Sequence, residues 1–168
     1  MAEQRLSLVI ADDHPLIRRG LQDVVAAHGH YALVAATASG AECLALLLSA
    51  RPDVALVDIT MPALNGLAAV EELRRRAPGV RAVVLTAFGT EPNVLRALQG
   101  GAAGFVLKNC TPDELIRAVR AAHGGDAYLS PAVTRVVLGV VTPDAVPRRR
   151  EALARLETLT ERESDVVR

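Results

Sequence analysis

The stretch PDVALVDITMPALNG, residues 52–66, joins a strand of the buried type to an acidic side chain. The apolar run Val54–Val57 predicts a short strand that is covered on both faces. It stops at Asp58, and an Asn65-Gly66 pair that favours a turn follows a few residues later. A carboxylate in this position lies at the rim of a sheet, where it either serves a turn or carries out chemistry.

Short apolar runs of the same kind alternate with stretches that have helical spacing. The other predicted strands are Leu6–Ala11, Tyr31–Ala38, Val80–Thr86 and Gly104–Leu107. The predicted helices are Pro15–Ala27, Ala41–Ala50, Leu67–Arg76, Glu91–Gln99 and Pro112–His123. This alternation predicts an α/β fold, a doubly wound five-stranded parallel sheet with helices on both faces. For five strands the common order is 2-1-3-4-5.

Capping signals support several of these helix starts. A Ser or Thr three residues before a Glu fits a capping box, which satisfies free amides of a first helical turn. Three such pairs are Ser39 with Glu42, Thr111 with Glu114, and Thr160 with Glu163.

The chain divides into three parts by composition. Residues 5–124 carry the alternating pattern and form the main domain. Residues 125–155 contain a short helix, predicted over Ser130–Gly139, and a linker with two prolines and three consecutive arginines. Residues 156–168 open a new helix just before the sequence stops.

The overall composition excludes several functional classes. The 19 basic and 19 acidic side chains cancel, so net charge gives no sign of a nucleic-acid or membrane surface. No apolar run is long enough to span a bilayer, and the N-terminus lacks the features of a signal peptide. Cys43 and Cys110 have no metal-ligand spacing and are typical of small side chains in a reducing cytosol. A cytoplasmic protein with no membrane partner is expected.

Polar residues stand at the carboxyl ends of four predicted strands. Asp12 and Asp13 follow the first strand, Asp58 the third, Thr86 ends the fourth, and Lys108 follows the fifth. In a doubly wound sheet these ends share one crevice, and strands one and three are neighbours, so the three carboxylates should converge. Three converging carboxylates repel one another unless cations compensate. Mg²⁺, which prefers oxygen ligands, and Lys108 are the predicted compensating charges.

A carboxylate beside Mg²⁺ and an ammonium group can attack a phosphoryl group. The pattern therefore predicts that Asp58 is the nucleophile of an aspartyl phosphate and that Thr86 hydrogen-bonds a phosphoryl oxygen. Each residue alone has a simpler explanation: an Asp can serve a turn, and Asp12-Asp13 can cap the helix near Pro15. Their joint placement at four strand ends favours the chemical interpretation. His14 is interpreted as a surface or capping residue.

Four segments together resemble the receiver domain of a bacterial two-component response regulator. They are LVIADDHPLIRRGL, VALVDITMPALNGL, VVLTAF and GAAGFVLKNCTPDELIRAV, and they cover residues 5–124, a flavodoxin-like receiver. Among response regulators, these segments resemble those of the NarL/FixJ subfamily. The segment LETLTERESDVVR resembles the opening of the LuxR-type DNA-binding domain of that subfamily. On this resemblance the chain ends within the first helix of that domain, and this chain alone is not expected to bind a specific DNA site.

The resemblance implies a set of roles. A sensor histidine kinase phosphorylates Asp58, Mg²⁺ is held by Asp13 and Asp58 with help from Asp12 and the backbone carbonyl of Thr60, and slow dephosphorylation is the remaining chemistry. The protein is then no enzyme in the ordinary sense. The phosphorylated receiver controls transcription through its DNA-binding domain.

The resemblance also implies a switch. Thr86 moves toward the phosphoryl group, and Phe105 turns inward, although a plain core aromatic is an equally simple interpretation of Phe105. The switch biases the face formed by the fourth helix, fifth strand and fifth helix. Phosphorylation is expected to favour a homodimer through that face or through the first and fifth helices, and the sequence does not choose between them.

Two other functions are compatible with parts of the pattern. A haloacid-dehalogenase-type phosphohydrolase also uses an aspartyl nucleophile and Mg²⁺, but it expects a second Asp where this chain has Thr60. A receiver that acts only as a phosphorylation-independent interaction module would not need the complete set of acids, Thr86 and Lys108.

Overall fold

The computed structural model describes residues 5–142, in which strands and helices alternate along the chain. The elements are β1 (Leu6–Ala11), α1 (Pro15–Ala27), β2 (Tyr31–Thr37), α2 (Gly40–Ala50), β3 (Val54–Asp58), α3 (Gly66–Arg76), β4 (Arg81–Thr86), α4 (Glu91–Gln99), β5 (Gly104–Leu107), α5 (Pro112–Gly124), β6 (Tyr128–Leu129) and α6 (Pro131–Val141). Within the described residues, the five predicted strands and six predicted helices are all present, with ends that differ by at most two residues.

The strands form one parallel sheet in the order β2-β1-β3-β4-β5-β6. The predicted α/β class and the order of the first five strands are confirmed. The prediction of five strands was wrong by one, because β6 pairs in parallel with β5 and extends the sheet. A strand of two residues is too short to show a hydrophobic period, so the sequence around Tyr128 carries no signal for it.

Alternate residues of the central strands feed two separate cores. Val9 and Ala11 point into a core formed with α2, α3, α4 and α6. Leu8 and Ile10 point into a second core formed with α1 and α5. Every residue of β3 is buried, as the unbroken apolar run Val54–Val57 predicts for a central strand.

Two of the three predicted capping boxes lie within the described residues. At α5, Thr111 accepts a hydrogen bond from the backbone of Glu114, and the Glu114 side chain accepts one from the backbone of Thr111, so the predicted box is complete. At α2, the hydroxyl of Ser39 accepts from the amide of Glu42, but the Glu42 carboxylate accepts from Thr37 instead. The predicted box at Ser39 is therefore only half formed.

The C-terminal part of the described chain packs on the main domain. α6 confirms the helix predicted over Ser130–Gly139 and lies against α4, with Val133 fully buried. The predicted capping box at Thr160 and the predicted segment 156–168 lie outside the described residues, and the division at residues 124 and 155 stays a prediction. Among the described helices, none combines the length and the apolar character needed to cross a bilayer.

Candidate functional site

Three carboxylates meet at the carboxyl ends of the central strands. Asp58 is the last residue of β3, and Asp12 directly follows β1. Because β1 and β3 are paired neighbours, with Ala11 opposite Val57, the two acids emerge side by side. Each of Asp12, Asp13 and Asp58 offers a carboxylate oxygen, and these oxygens lie within 4.8 Å of one another. The predicted convergence of the three acids is confirmed geometrically.

Lys108 bridges two of these acids. Its ammonium nitrogen Nζ lies 2.8 Å from Oδ2 of Asp12 and 2.8 Å from Oδ2 of Asp58. Both oxygens are buried, and within residues 5–142 they accept from no other hydrogen-bond donor. The backbone amide of Lys108 donates to the carbonyl of Thr86 at 2.8 Å, which fixes the end of β5 beside the end of β4. The lysine is thus the counter-charge for two desolvated carboxylates.

Backbone groups orient the other oxygens of the same two acids. Oδ1 of Asp12 accepts from the amide of His14 at 2.8 Å, and Oδ1 of Asp58 accepts from the amide of Thr60 at 3.3 Å. The guanidinium of Arg18 donates to the backbone carbonyl of Asp12 at 2.7 Å. Asp13 differs from the other two acids because it is exposed to solvent. One carboxylate of the cluster therefore faces the side from which a ligand would arrive.

The electrostatics of the site follow from its burial and its charges. Burial raises the pKa of the Asp58 carboxyl, and the charge of Asp12 adds to this effect, while the hydrogen bond from Lys108 opposes it. Burial by itself lowers the pKa of Lys108, but its hydrogen bonds and charge interactions with Asp12 and Asp58 outweigh burial and raise it. Lys108 is therefore held as a cation, and Asp58 is less acidic than a surface aspartate.

The backbone behind Asp58 is packed closely against the start of α3. A Cβ atom added to Gly66 would lie 1.9 Å from the backbone carbonyl oxygen of Asp58. The amide of Gly66 donates to the carbonyl of Ile59 at 2.9 Å, and Asn65 caps the helix by accepting from the amide of Leu67. The Asn65-Gly66 pair thus begins a helix, where the sequence had indicated a turn.

Thr86 ends β4, the strand next to β3, and Phe105 lies on β5, one strand further from Asp58. The hydroxyl of Thr86 donates to the backbone carbonyl of Phe88 at 3.1 Å and accepts from the amide of Phe88 at 3.2 Å. Phe105 is fully buried in the core that includes Val94 and Val133. The structure places both residues on the strands next to the site, and their predicted roles in a switch stay predictions.

Sequence reasoning missed three features of this site. The sequence pattern did not predict the hydrogen bond from Arg18 to the backbone carbonyl of Asp12. That contact depends on how α1 packs beside the end of β1. The close approach of Gly66 depends on tertiary packing in the same way. The third feature is visible in the sequence but was not used as a signal. Lys108 is the only lysine in a chain whose other 18 basic residues are arginines. An ammonium is a compact charge that fits between two carboxylates, where a planar guanidinium does not.

Comparison with known proteins agrees with this geometry. Residues 8–120 match the family model of the response regulator receiver domain. The chain is 33% identical over 162 residues to the uncharacterized transcriptional regulatory protein YhcZ of Bacillus subtilis, covering 96% of this chain and 73% of that one. It is 30% identical over 166 residues to the nitrate/nitrite response regulator NarL of Escherichia coli, covering 99% and 75% of the two chains.

A solved structure shows the same architecture. The crystal structure of a two-component response regulator of the LuxR family from Aurantimonas sp. SI85-9A1 superposes with a TM-score of 0.77 at 28% identity, covering 83% of this chain and all of that one. The chain belongs to the response regulator receiver-domain family. It is homologous to transcriptional regulators of two-component systems.

Proposed function

We propose that this protein accepts a phosphoryl group on Asp58 and passes that state to a transcriptional output. The observation that carries the proposal is the position of Asp58. Its side chain is 3% exposed, lies at the end of a central strand, and contacts at 2.8 Å the ammonium group of Lys108, whose side chain is 11% exposed. A structural turn residue has no need of that arrangement.

The residues of the site divide the chemistry among them. An Asp58 oxygen attacks the phosphorus of a donor phosphate, the new O–P bond forms, and the bond to the leaving group breaks and takes its electron pair away. Lys108 stabilises negative charge on the transferring oxygens. The close packing of Gly66 and the hydrogen bond from Thr60 hold the nucleophile at a defined angle. Thr86, at the neighbouring strand end, is the proposed ligand of a phosphoryl oxygen once its hydroxyl leaves Phe88.

The three carboxylates fit a magnesium ion. Hard divalent cations prefer oxygen ligands and retain several waters, and the oxygens of this cluster are close enough to share one ion. We assign the ligands to Asp13 and Asp58, with Asp12 assisting and the backbone carbonyl of Thr60 completing the set. When bound, Mg²⁺ neutralises charge on the transferring phosphoryl oxygens.

The proposed partners follow from the family. A sensor histidine kinase in the cytoplasm supplies the phosphoryl group, and DNA is the target of a C-terminal output domain. Both cysteines of the described region are free thiols, which suits a reducing compartment. For a homodimer, β6 and α6 already cover the outer edge of β5 and part of α4, so the face formed by α1 and α5 is the more accessible of the two predicted faces.

The test is intact mass after incubation with acetyl phosphate and Mg²⁺. The wild-type protein should gain one phosphoryl group, about 80 Da, only when the metal is present. Asp58→Asn should gain none. Asp23→Asn is the matched control, because Asp23 is an exposed acid on α1 outside the cluster, and it should label like the wild type. Equal labelling of wild type and Asp58→Asn would remove Asp58 as the acceptor.

A further inference from the structure

β6 and the N-cap residue of α6 are hydrogen-bonded directly to the backbone at β5. The amide of Tyr128 donates to the carbonyl of Ala103 at 3.2 Å, and the amide of Ser130 donates to the carbonyl of Phe105 at 3.1 Å. Ser130 is the N-cap residue immediately before α6. The helix therefore starts from a hydrogen bond to the backbone of the buried aromatic on β5.

A second attachment joins α6 to the loop that follows β4. A Cβ atom added to Gly89 would lie 3.5 Å from Cγ2 of Val133 and 3.2 Å from Cδ2 of Leu107, so the loop runs against both β5 and α6. Val133 is fully buried at this point. The same loop is held one residue earlier by the two hydrogen bonds between Thr86 and the backbone of Phe88.

The start of α6 also contains an unsatisfied polar group. The hydroxyl of Ser130 is buried and has no hydrogen-bond partner among residues 5–142, and it does not cap the first turn of α6. A buried hydroxyl without a partner is unfavourable, and a capping serine normally accepts from the amide two or three residues later. At this N-cap position the usual donors are the amides of Ala132 and Val133, and neither is bonded to the Ser130 hydroxyl here.

From these contacts we propose that β6 and α6 form a lever that reports the state of the Thr86 hydroxyl to the chain beyond residue 142. When the hydroxyl leaves Phe88, the loop at Gly89 loses its two fixing hydrogen bonds and shifts against Val133. Because Val133 is buried and closely packed, the loop and the start of α6 move together. The trigger rests on the proposed phosphoryl acceptance, but the coupling between Thr86 and α6 is a property of the described packing alone.

The experiment is hydrogen exchange of the α6 amides in the full chain, with and without beryllofluoride and Mg²⁺. Exchange at Thr134–Val141 should change by about fivefold or more on addition of the phosphoryl analogue, as expected for a coupling of this kind. Exchange in the second half of α2, a helix that packs on α3, β1 and β2, serves as the internal reference.

Two valine variants locate the coupling. Val133→Ala removes the buried contact with the loop and should abolish the change at α6, while intact-mass labelling by acetyl phosphate stays at the wild-type level. Val140→Ala is the matched control, because Val140 lies on the same helix and is 38% exposed. It should retain the change. An α6 response of the same size in both variants would overturn the lever.

A third variant separates the lever from the proposed function. Thr86→Val keeps the shape of the side chain and removes the hydroxyl, so the loop should be released without any phosphoryl group. Exchange at α6 should then differ from wild type by a similar factor in the absence of beryllofluoride. If acetyl phosphate does not label the wild-type protein but Thr86→Val changes hydrogen exchange at α6, the proposed function fails and the lever stands. If acetyl phosphate labels the wild-type protein but neither beryllofluoride nor Thr86→Val changes hydrogen exchange at α6, the lever is wrong.

Discussion

The ammonium nitrogen of Lys108 lies 2.8 Å from Oδ2 of Asp58, with the lysine side chain 11% exposed and the aspartate side chain 3% exposed. A surface ion pair contributes little to stability, because water already solvates both charges. Here removal of the cation leaves a buried carboxylate without a partner. The consequences of this contact can be measured.

Lys108→Met keeps much of the side-chain volume and removes the charge. We expect the free energy of unfolding, measured with urea in the absence of divalent cations, to fall by about 3 kcal/mol, because the unpaired buried carboxylates of Asp12 and Asp58 remain. Arg75→Met is the control, since Arg75 forms an exposed pair with Glu72 and should cost at most about 0.5 kcal/mol. Adding Asp58→Asn to Lys108→Met should recover part of the lost stability, because it removes one of the unpaired charges. If the stability changes of the two single variants simply add in the double variant, the pairing of Lys108 with Asp58 is contradicted.

Asp13→Ala tests the proposed metal ligands. The exposed carboxylate of Asp13 belongs to the cluster but contacts no lysine, so its removal should weaken Mg²⁺ binding by about tenfold or more without loss of stability. Isothermal calorimetry measures the affinity, and thermal unfolding without metal checks the fold. Asp113→Ala, a change at an exposed acid in the first turn of α5, should leave Mg²⁺ affinity unchanged. Equal affinities of wild type and Asp13→Ala would remove Asp13 from the ligand set.

Gly66→Ala tests the backbone packing behind the acceptor. The added Cβ would lie 1.9 Å from the carbonyl oxygen of Asp58, so β3 and the start of α3 must separate. We expect the free energy of unfolding in urea to fall by about 3 kcal/mol, which is at the upper end of the cost of overpacking. Phosphorylation by acetyl phosphate should also be slower. Gly79→Ala is the control, because a Cβ there meets no atom within 4 Å. Equal stabilities for the two variants would show that the site tolerates movement of α3.

Asp53→Asn tests a pH-dependent contact at the opposite end of β3. Oδ2 of Asp53 accepts from the amide of Ser7 at 2.8 Å and from its hydroxyl at 2.7 Å, and the backbone hydrogen bond is the main reason that the pKa of Asp53 is lowered from 3.8. A lowered pKa in the folded state stabilises the protein above the unfolded value, and this contribution disappears as the pH falls through the folded pKa.

At pH 7 we therefore expect Asp53→Asn to be less stable than wild type by about 1 kcal/mol, because the amide accepts the same hydrogen bonds without charge. The difference should shrink when urea unfolding is repeated below pH 3.8, the value from which the pKa is lowered. A gap of constant size at both pH values would show that the charge of Asp53 is not involved.

The outline of the fold and most of the site follow from the sequence, because they depend on strong local signals. The buried strands have continuous apolar runs, and the rule that carboxyl ends of parallel strands share one edge brings Asp12, Asp13 and Asp58 together. The features that escaped prediction depend on long-range packing. The strand at Tyr128 has too few residues for a pattern, and the contact of Gly89 with α6 exists only after α6 has docked.

The edges of the described sheet have a consequence for solubility. An exposed edge strand offers unpaired amides and carbonyls to another chain, and long flat edges promote aggregation. One edge of this sheet, β6, is only two residues long, and the other, β2, carries a register shift opposite Leu8 and Val9. Neither edge presents a long, regular template for an incoming strand. Two copies of this domain should therefore meet through helix faces, and continuous sheets that run from one molecule into the next are disfavoured.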